Sequence, residues 1–210
     1  MIPPNSPLVF DIEIVDILSY EAYDKYMIEL ERKERVAYEA HVKKQFVKDQ
    51  NLINDYAIGH KMKTKRTQSD VNYVLTKPGK GELAKSGDKV IVHYEGRLLD
   101  DAVFDTNFDK EPFTFILGVG KVIKGWDDGL MQFRKGSEGW LLIPSKYAYG
   151  PRAIKENDIS IPENSVLIFK IKVVDVVPPS TAKPVTANSD SDDKQRKKKS
   201  KKKKRKRGKN

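Results

Sequence analysis

The sequence predicts an α+β fold in which a long helix precedes a domain of short strands around one short helix. Residues 19–58 contain neither Pro nor Gly and are rich in charge, which favours a long exposed helix. Residues 71–177 alternate short apolar runs with Gly, Pro and Asp turns, a pattern typical of strands joined by turns. Residues 178–210 have almost no large apolar side chains, so we expect them to form a disordered basic tail.

The long helix is predicted over residues 18–60, with Ser19 as its N-cap and Gly59 just beyond its last turn. At ~1.5 Å per residue it would extend roughly 60 Å, which is too long for a core helix. We interpret it as a solvated linker helix, and a dimerising or client-cradling arm is the alternative. A second, polar linker covers residues 61–71. The apolar residues of the helix fall roughly along one face: Tyr23, Met27, Leu30, Ala37, Ala40 and Val47.

The first residues of the chain repeat a segment near the end of the strand-rich domain. Residues 2–17 (IPPNSPLVFDIEIVDI) are identical to residues 161–176 (IPENSVLIFKIKVVDV) at nine of 16 positions. We therefore interpret residues 1–17 as the last strand of a preceding similar domain whose remainder is absent. In this interpretation Met1 is internal to a longer reading frame. Without its own domain, the segment should be poorly buried or borrowed onto another sheet.

Several classes of function are excluded by composition and by missing motifs. With no Cys, the chain has no disulfide framework, no Cys-ligated zinc site and no thiol nucleophile. The glycines fit neither a P-loop nor a dinucleotide fingerprint, and the three His residues lack metal-ligand spacing. No apolar run approaches the ~18 residues needed to span a bilayer. The compartment is left open: cytoplasmic as the chain stands, or the cell envelope if an export signal precedes it.

Aromatic residues dominate the strand-rich part, where strands are predicted at 89–99, 112–117, 138–143 and 166–177 and a short helix opens at Gly125. Most of these rings are expected to fill a core, and this interpretation is kept for Trp140, Phe115 and Phe133. It fits one group less well, because two phenols and a carboxylate near one indole are unusual in a buried core. That group consists of Tyr94, Phe104, Asp105, Val122, Ile123, Trp126 and Tyr149.

Four segments then occur in an order that resembles the signatures of FKBP-type peptidyl-prolyl cis-trans isomerases: VIVHYEGRLLDDAVFDTNF, PFTFILGVGKVIKGWDDGL, IPSKYAYG and IPENSVLIF. The resemblance covers residues 72–177, and the helix and repeat before them are similar to tandem-domain bacterial members. It implies a five-stranded antiparallel half-barrel around one short helix, and an isomerase that assists protein folding. Proline-containing polypeptides are the implied clients and a macrolide is an implied inhibitor, while no cofactor and no metal are implied.

The resemblance also implies roles for individual residues. Trp126 would floor the pocket beneath the prolyl ring, and Tyr149 would donate its hydroxyl to a substrate carbonyl. Phe104 and Asp105 would lie at the rim. The loop 151–160 is longer and more charged than is usual in the family, so none of its residues is assigned a substrate contact. The apolar walls would be formed by Tyr94, Phe113, Val122, Ile123, Ile161 and Phe169.

An alternative function is a non-catalytic proline-binding or holdase module, in which the pocket docks clients and the long helix supports them. The basic tail suggests a further partner. Residues 194–210 hold 13 Lys and Arg and no acid, which leaves 27 basic against 30 acidic residues in 1–193, a net charge of −3. The stretch from Lys194 to Lys209 could contact nucleic acid or an anionic surface without sequence specificity, or could serve only as a solubilising tail. It has no aromatic residue, so base stacking is not expected.

Overall fold

The computed structural model describes residues 6–156 and 159–179. The long helix, α1, spans Tyr20–Gly59. Ser19 caps it as predicted, since its side-chain oxygen accepts a hydrogen bond from the Ala22 N–H at 3.3 Å. The role predicted for Gly59 is wrong: Gly59 is still helical and His60 is the C-cap. The chain leaves the helix through Lys61, which takes the left-handed conformation with φ 55°.

The buried face of α1 differs from the predicted apolar face. Tyr23 and Val47, both on the predicted face, are 50% and 54% exposed. The buried residues lie instead in the last third of the helix: Asp49, Gln50, Ile53, Tyr56 and Ala57. There the helix packs in a small core that includes Leu142 and Ile168. Contact with the sheet, rather than periodicity along the whole helix, decides which residues are buried. The linker role of residues 18–60 stays a prediction.

The main sheet is antiparallel and is built around two long central strands. Its strands are β1 (Lys65–Arg66), β2 (Asn72–Lys77), β3 (Lys89–Arg97), β4 (Val103–Thr106), β5 (Phe113–Ile116), β6 (Glu138–Ile143) and, at the end of the domain, β9 (Leu167–Val177). The order is β1-β2-β6-β9-β3-β4, and β5 also pairs with β3. A separate hairpin joins β7 (Ile154–Glu156) to β8 (Ile159–Ile161).

The five strands implied by the resemblance can be recognised in this sheet. β4 and β5 pair with different halves of β3, at residues 95–97 and 89–92, on the edge not used by β9. They therefore act as one strand interrupted by a loop. With the two-residue β1 set aside, five strands remain. The α+β fold, with a half-barrel and one short helix α2 (Lys124–Gly129), is confirmed.

The core lies between α2 and the sheet. It contains Trp126 and Leu130 from α2 and the turn after it, together with Val92, Leu141 and Ile171 from three strands, all 4% exposed or less. Two of the residues predicted as core, Phe115 and Phe133, are buried here at 7% and 0% exposure. The third, Trp140, is partly buried in the small core under α1.

The N-terminal segment is exposed where the structure describes it. Residues 6–19 form neither helix nor strand, and Val9, Phe10 and Ile12 are 93%, 73% and 83% exposed. This matches the expectation of poor burial, while its origin as a strand of a preceding domain stays a prediction. The predicted tail lies outside the described residues from 180 onward. In the described part of the chain, no helix combines the length and apolar character that crossing a membrane requires.

Candidate functional site

Trp126 lies at the centre of the candidate site, on the short helix α2. It is 4% exposed, and its Nε1 has no hydrogen-bond partner among the described residues. Two glycines let α2 lie close against β6. A Cβ on Gly129 would come within 2.6 Å of the Leu141 side chain, and one on Gly125 would overlap Ile143. Because neither glycine carries a side chain, α2 lies close enough to β6 for the Trp126 indole to be buried in the core.

The loop before α2 is fastened to the helix by the buried carboxylate of Asp127. Its Oδ1 accepts a hydrogen bond from the Gly118 N–H at 2.7 Å, and its Oδ2 accepts one from the Gly120 N–H at 3.0 Å. Val122 and Ile123 follow directly and pack, partly buried, against the core. A single side chain thus positions both aliphatic residues next to Trp126.

Aromatic rings surround Trp126 on several sides. The Tyr94 ring centroid is 5.1 Å from that of Trp126 and the Phe169 centroid is 5.2 Å away, both nearly perpendicular to the indole. Phe115 lies 5.7 Å away and Phe113 6.3 Å away. Edge-to-face packing of this kind is favourable beyond the apolar area it buries. The result is a rigid apolar surface around the indole.

Two phenols and a carboxylate add polar groups to this apolar surface. The Tyr94 hydroxyl donates a hydrogen bond to Asp105 Oδ2 at 2.6 Å, and burial together with this bond raises the pKa of Tyr94 well above its usual range. Burial, followed by the negative charges of Asp105 and Glu156, also raises the pKa of Tyr149. No hydrogen bond contributes to that second shift. The Tyr94 hydroxyl is committed to Asp105, whereas the protonated Tyr149 hydroxyl can donate to a further acceptor.

The structure brings the ten predicted site residues together. Trp126, Ile161 and Phe169 are buried in the core, and Tyr94, Phe104, Val122, Ile123 and Tyr149 pack against it partly buried. Phe113, at the edge of the group, is 41% exposed and contacts Tyr94 and Trp126 through its ring. Asp105 joins the group through its bond to Tyr94.

Sequence reasoning missed Asn107, which fixes the loop between β4 and β5. Its Oδ1 accepts a hydrogen bond from the Tyr94 N–H at 2.7 Å, and its Nδ2 donates to the Val92 carbonyl at 3.2 Å. The signal was available in principle, because Asn107 directly follows Val103–Thr106 and Asn side chains commonly bond to nearby backbone. Ile154 and Ile159 were also missed, although both pack against the core from the β7–β8 hairpin. Both residues lie in the loop 151–160, to which the sequence assigned no substrate contact because the loop is charged.

The arrangement suits binding and orientation rather than covalent chemistry. It offers apolar rings, the phenolic donor of Tyr149, and a carboxylate that already accepts the hydrogen bond of the second phenol, Tyr94. Within residues 6–156 and 159–179, no three His, Asp and Glu side chains come close enough together to hold a metal ion. A compact apolar group with a nearby carbonyl is the kind of ligand that this surface matches.

Comparison with known proteins agrees with this geometry. The model of the family described as "FKBP-type peptidyl-prolyl cis-trans isomerase" matches residues 80–174. The chain is 42% identical over 104 residues to "FK506-binding protein 1A" of Aspergillus fumigatus and covers 90% of it. It is 42% identical over 122 residues to "FK506-binding protein 4" of Neurospora crassa. That match takes in 55% of this chain but only 25% of the Neurospora protein, so the chain spans about a quarter of that relative.

Among solved structures, FkpA from Escherichia coli is similar, with a TM-score of 0.53 and 30% identity. The match covers 77% of this chain and 74% of FkpA, so it extends outside residues 80–174. The domain matches nearly all of one relative, and the fold places an aromatic group around Trp126. These two observations lead to one conclusion. This chain belongs to the FKBP-type peptidyl-prolyl cis-trans isomerase family.

Proposed function

We propose that residues 72–177 catalyse the cis-trans isomerisation of X–Pro bonds and so assist the folding of proline-containing polypeptides. The observation that carries this proposal is the ring of aromatic side chains around Trp126, with the partly buried phenol of Tyr149 packed against the same core. Its apolar surface suits a prolyl ring, and its donor suits the adjoining carbonyl. Membership of the family supports the same activity.

An aromatic surface can accelerate this reaction without a nucleophile. The X–Pro bond rotates over a barrier of roughly 18–20 kcal/mol because amide resonance is lost when the bond twists. The planar amide is more dipolar than the twisted one, so an apolar site disfavours the planar ground state relative to the transition state. A thousandfold acceleration requires only ~4 kcal/mol. Desolvation and orientation are of a size to supply it.

The proposed roles follow from the geometry of the site. Trp126 lies beneath the prolyl ring, and Phe169 and Phe113 form parts of the wall. Tyr149 donates its hydroxyl to a substrate carbonyl, since a phenol is protonated near neutral pH and burial raises the pKa of this one further. Asp105 holds the Tyr94 hydroxyl and thereby orients the rim, without transferring a proton.

A protease-coupled assay on a short X–Pro peptide tests the activity, because the protease cleaves only the trans isomer. Trp126→Ala is expected to reduce kcat/KM by at least about tenfold. The matched control is Trp140→Ala, which removes the other indole from the small core under α1 and leaves the site intact. An uncatalysed rate for the purified full chain, or equal losses in both variants, would refute the proposal.

We further propose that a macrolide occupies the same surface and competes with the peptide. The support is that the relatives are named FK506-binding proteins. FK506 is expected to inhibit the full chain competitively in the same assay. Tyr149→Phe, which keeps the ring and removes the donor, should weaken inhibition more than Tyr73→Phe, a partly buried ring outside the predicted group. Non-competitive inhibition would place the macrolide elsewhere.

We also propose a second activity: the basic segment from Lys194 to Lys209 binds nucleic acid or another polyanion electrostatically. The support is the concentration of 13 positive charges in residues 194–210. Binding to a mixed-sequence RNA should fall steeply with salt, because phosphate contacts release counterions. Binding that survives truncation after Asp193 would refute the assignment to the tail.

A further inference from the structure

The buried carboxylate of Asp49 on α1 is not used by the proposed mechanism. Asp49 is fully buried, and it lies 96 residues before Ser145, the residue that it contacts. Its Oδ2 accepts hydrogen bonds from the Ser145 N–H at 2.8 Å and from the Ser145 Oγ at 2.6 Å. Its Oδ1 accepts one from Gln45 Nε2 at 2.7 Å. A buried acceptor so fully occupied fixes both partners firmly in place.

Ser145 begins the 3₁₀ turn Ser145–Tyr147, which leads directly to Tyr149. The first N–H groups of such a turn have no partner within it, and the preceding Pro144 offers no side-chain cap. Asp49 therefore serves as the cap of this turn, supplied from a distant helix. A side chain on α1 thus replaces a local capping residue.

The Ser145 carbonyl carries the constraint onward to Tyr149. It accepts hydrogen bonds from the Ala148 N–H and the Gly150 N–H, each at 2.9 Å. These two amides are the immediate neighbours of Tyr149 in the chain. A shift of Ser145 would accordingly move the backbone on both sides of the phenol that the proposed mechanism uses as a donor.

Ring contacts hold the same two segments together. Phe46 on α1 packs edge-to-face on Tyr147, with centroids 6.3 Å apart. The Lys146 Nζ lies 3.8 Å from the centroid of Phe46 and 4.6 Å from that of Tyr147. The turn is thus fastened to α1 by polar contacts on one side and by aromatic contacts on the other.

We propose that Asp49 is a positioning residue for the isomerase site, which it serves by fixing Ser145 and, through Ser145, the backbone that carries Tyr149. This inference rests on the proposed function. In this proposal the C-terminal part of α1 contributes to the isomerase site and does not serve only as a connection to the residues before the domain. Misplacing a substrate-orienting group by an ångström can cost on the order of a hundredfold in rate, so this constraint matters for catalysis.

The test compares two changes at Asp49 in the full chain. Asp49→Ala removes the acceptor, and we expect kcat/KM to fall about tenfold, mainly through kcat. Asp49→Asn should stay within about twofold, because its amide oxygen can accept from Ser145 while its NH₂ donates to a turned Gln45. Two-dimensional NMR should show the Tyr149 and Gly150 signals shifted in Asp49→Ala, restored in Asp49→Asn, and the Tyr94 signals unchanged in both.

The matched control is Tyr56→Phe, which removes a different hydrogen bond between α1 and the domain. The Tyr56 hydroxyl donates to Asp101 Oδ1 at 2.6 Å, and among the described residues it makes no hydrogen bond to the 3₁₀ turn. This variant should lose stability while its kcat/KM stays within about twofold of the wild type. An equal loss of activity in Tyr56→Phe would show that docking of α1 in general, and not Asp49, is what matters, and would overturn the proposal.

Ser145→Ala keeps the test decisive if Asp49→Ala does not fold. It removes only the Oγ bond, and a kcat/KM lowered about two- to threefold with displaced Tyr149 signals is expected. Unchanged signals of Tyr149 in a folded Asp49→Ala or Ser145→Ala variant would overturn the proposal. If the wild type itself shows no isomerase activity, the proposed function fails, whereas the NMR comparison still decides whether Asp49 positions Tyr149.

Discussion

The hydroxyl of Tyr94 on β3 lies 2.6 Å from the carboxylate of Asp105 on β4 and donates a hydrogen bond to it. The two strands are paired, with Gly96 opposite Asp105, so the backbone ladder holds the carboxylate at the edge of the aromatic group. The bond joins the apolar surface to the polar rim. It also occupies the one carboxylate of the predicted site.

Removing this bond should affect turnover more than folding. Tyr94→Phe keeps the ring against Trp126 but leaves Asp105 free to move, so we expect kcat/KM to fall about three- to tenfold and the free energy of unfolding to fall by about 1 kcal/mol. Peptide turnover and urea unfolding measure the two effects. Tyr73→Phe, at another partly buried ring, should change neither. Full activity in Tyr94→Phe would show that the bond is not used in catalysis.

A methyl group at Gly125 should destabilise the domain, although alanine is the better helix former. The new Cβ would overlap Ile143, and overpacking of this kind costs typically ~1–3 kcal/mol. Gly59→Ala is the matched control, because nothing lies within 4 Å of a Cβ there and Ala is favoured over Gly by about 1 kcal/mol in a helix. Urea unfolding should thus give opposite signs for the two changes. Stabilisation by both would mean that α2 does not lie tightly against β6.

The two ends of α1 should respond differently to the same substitution. Ile53 is 1% exposed and lies in the small core under the helix, so Ile53→Ala should cost about 2–5 kcal/mol of unfolding free energy. Ile28, on the same helix, is 67% exposed, and Ile28→Ala should change stability by less than about 0.5 kcal/mol. Chemical denaturation of both variants measures the difference. Equal effects would contradict the docking of the helix end.

Stability should decline at high pH because of buried phenols. Burial, and the bond to Asp101, raise the pKa of Tyr56 above its usual range. Above about pH 10 the unfolded chain releases this proton while the folded chain keeps it, so the contribution of Tyr56 is complete below pH 10 and is lost as pH rises further. Tyr56→Phe should flatten the decline between about pH 10 and pH 11.

Tyr26 provides the control for this titration, since it is 55% exposed on the same helix. Tyr26→Phe should leave the dependence of unfolding free energy on pH as it is in the wild type. If Tyr56→Phe shows the same alkaline decline as the wild type, then Tyr56 ionises equally in the folded and unfolded chains. Urea unfolding at several pH values is sufficient to decide.

The sequence predicted the parts of this fold that local pattern controls. The predicted bounds of strand β6, 138–143, are those observed, and the bounds of β9 agree within one residue, because apolar residues dominate both segments and turn residues bound them. Ser19 was identified as a cap because capping is a local interaction. The position of Gly59 was wrong, since the helix ends where its last carbonyls find donors, and Lys61 takes the left-handed conformation in its place.

Contacts between distant segments could not be predicted from local sequence pattern. The burial of Asp49 and Gln50 depends on Ser145 and Asn72, and no local pattern connects residues so far apart. A charged residue in a polar helix is normally expected to face solvent. Seven members of the predicted group around Trp126 were singled out by residue type, and the family resemblance added Phe113, Ile161 and Phe169. The structure brings these residues together, and their roles stay proposals.

The anchoring of α1 at one end has a consequence for long clients. The part of the helix that precedes Asp49 covers residues 20–48, which at 1.5 Å per residue is roughly 40 Å. The hydrogen bond that Asp49 accepts from Ser145 and the one that Tyr56 donates to Asp101 restrict rotation of the helix at its C-terminal end, so the first turn of α1 is held at a defined distance from Asp49. An extended polypeptide needs at least about 12 residues to bridge that span. Short peptides can therefore report on the pocket alone, whereas only longer chains can contact both the pocket and the first turn of α1.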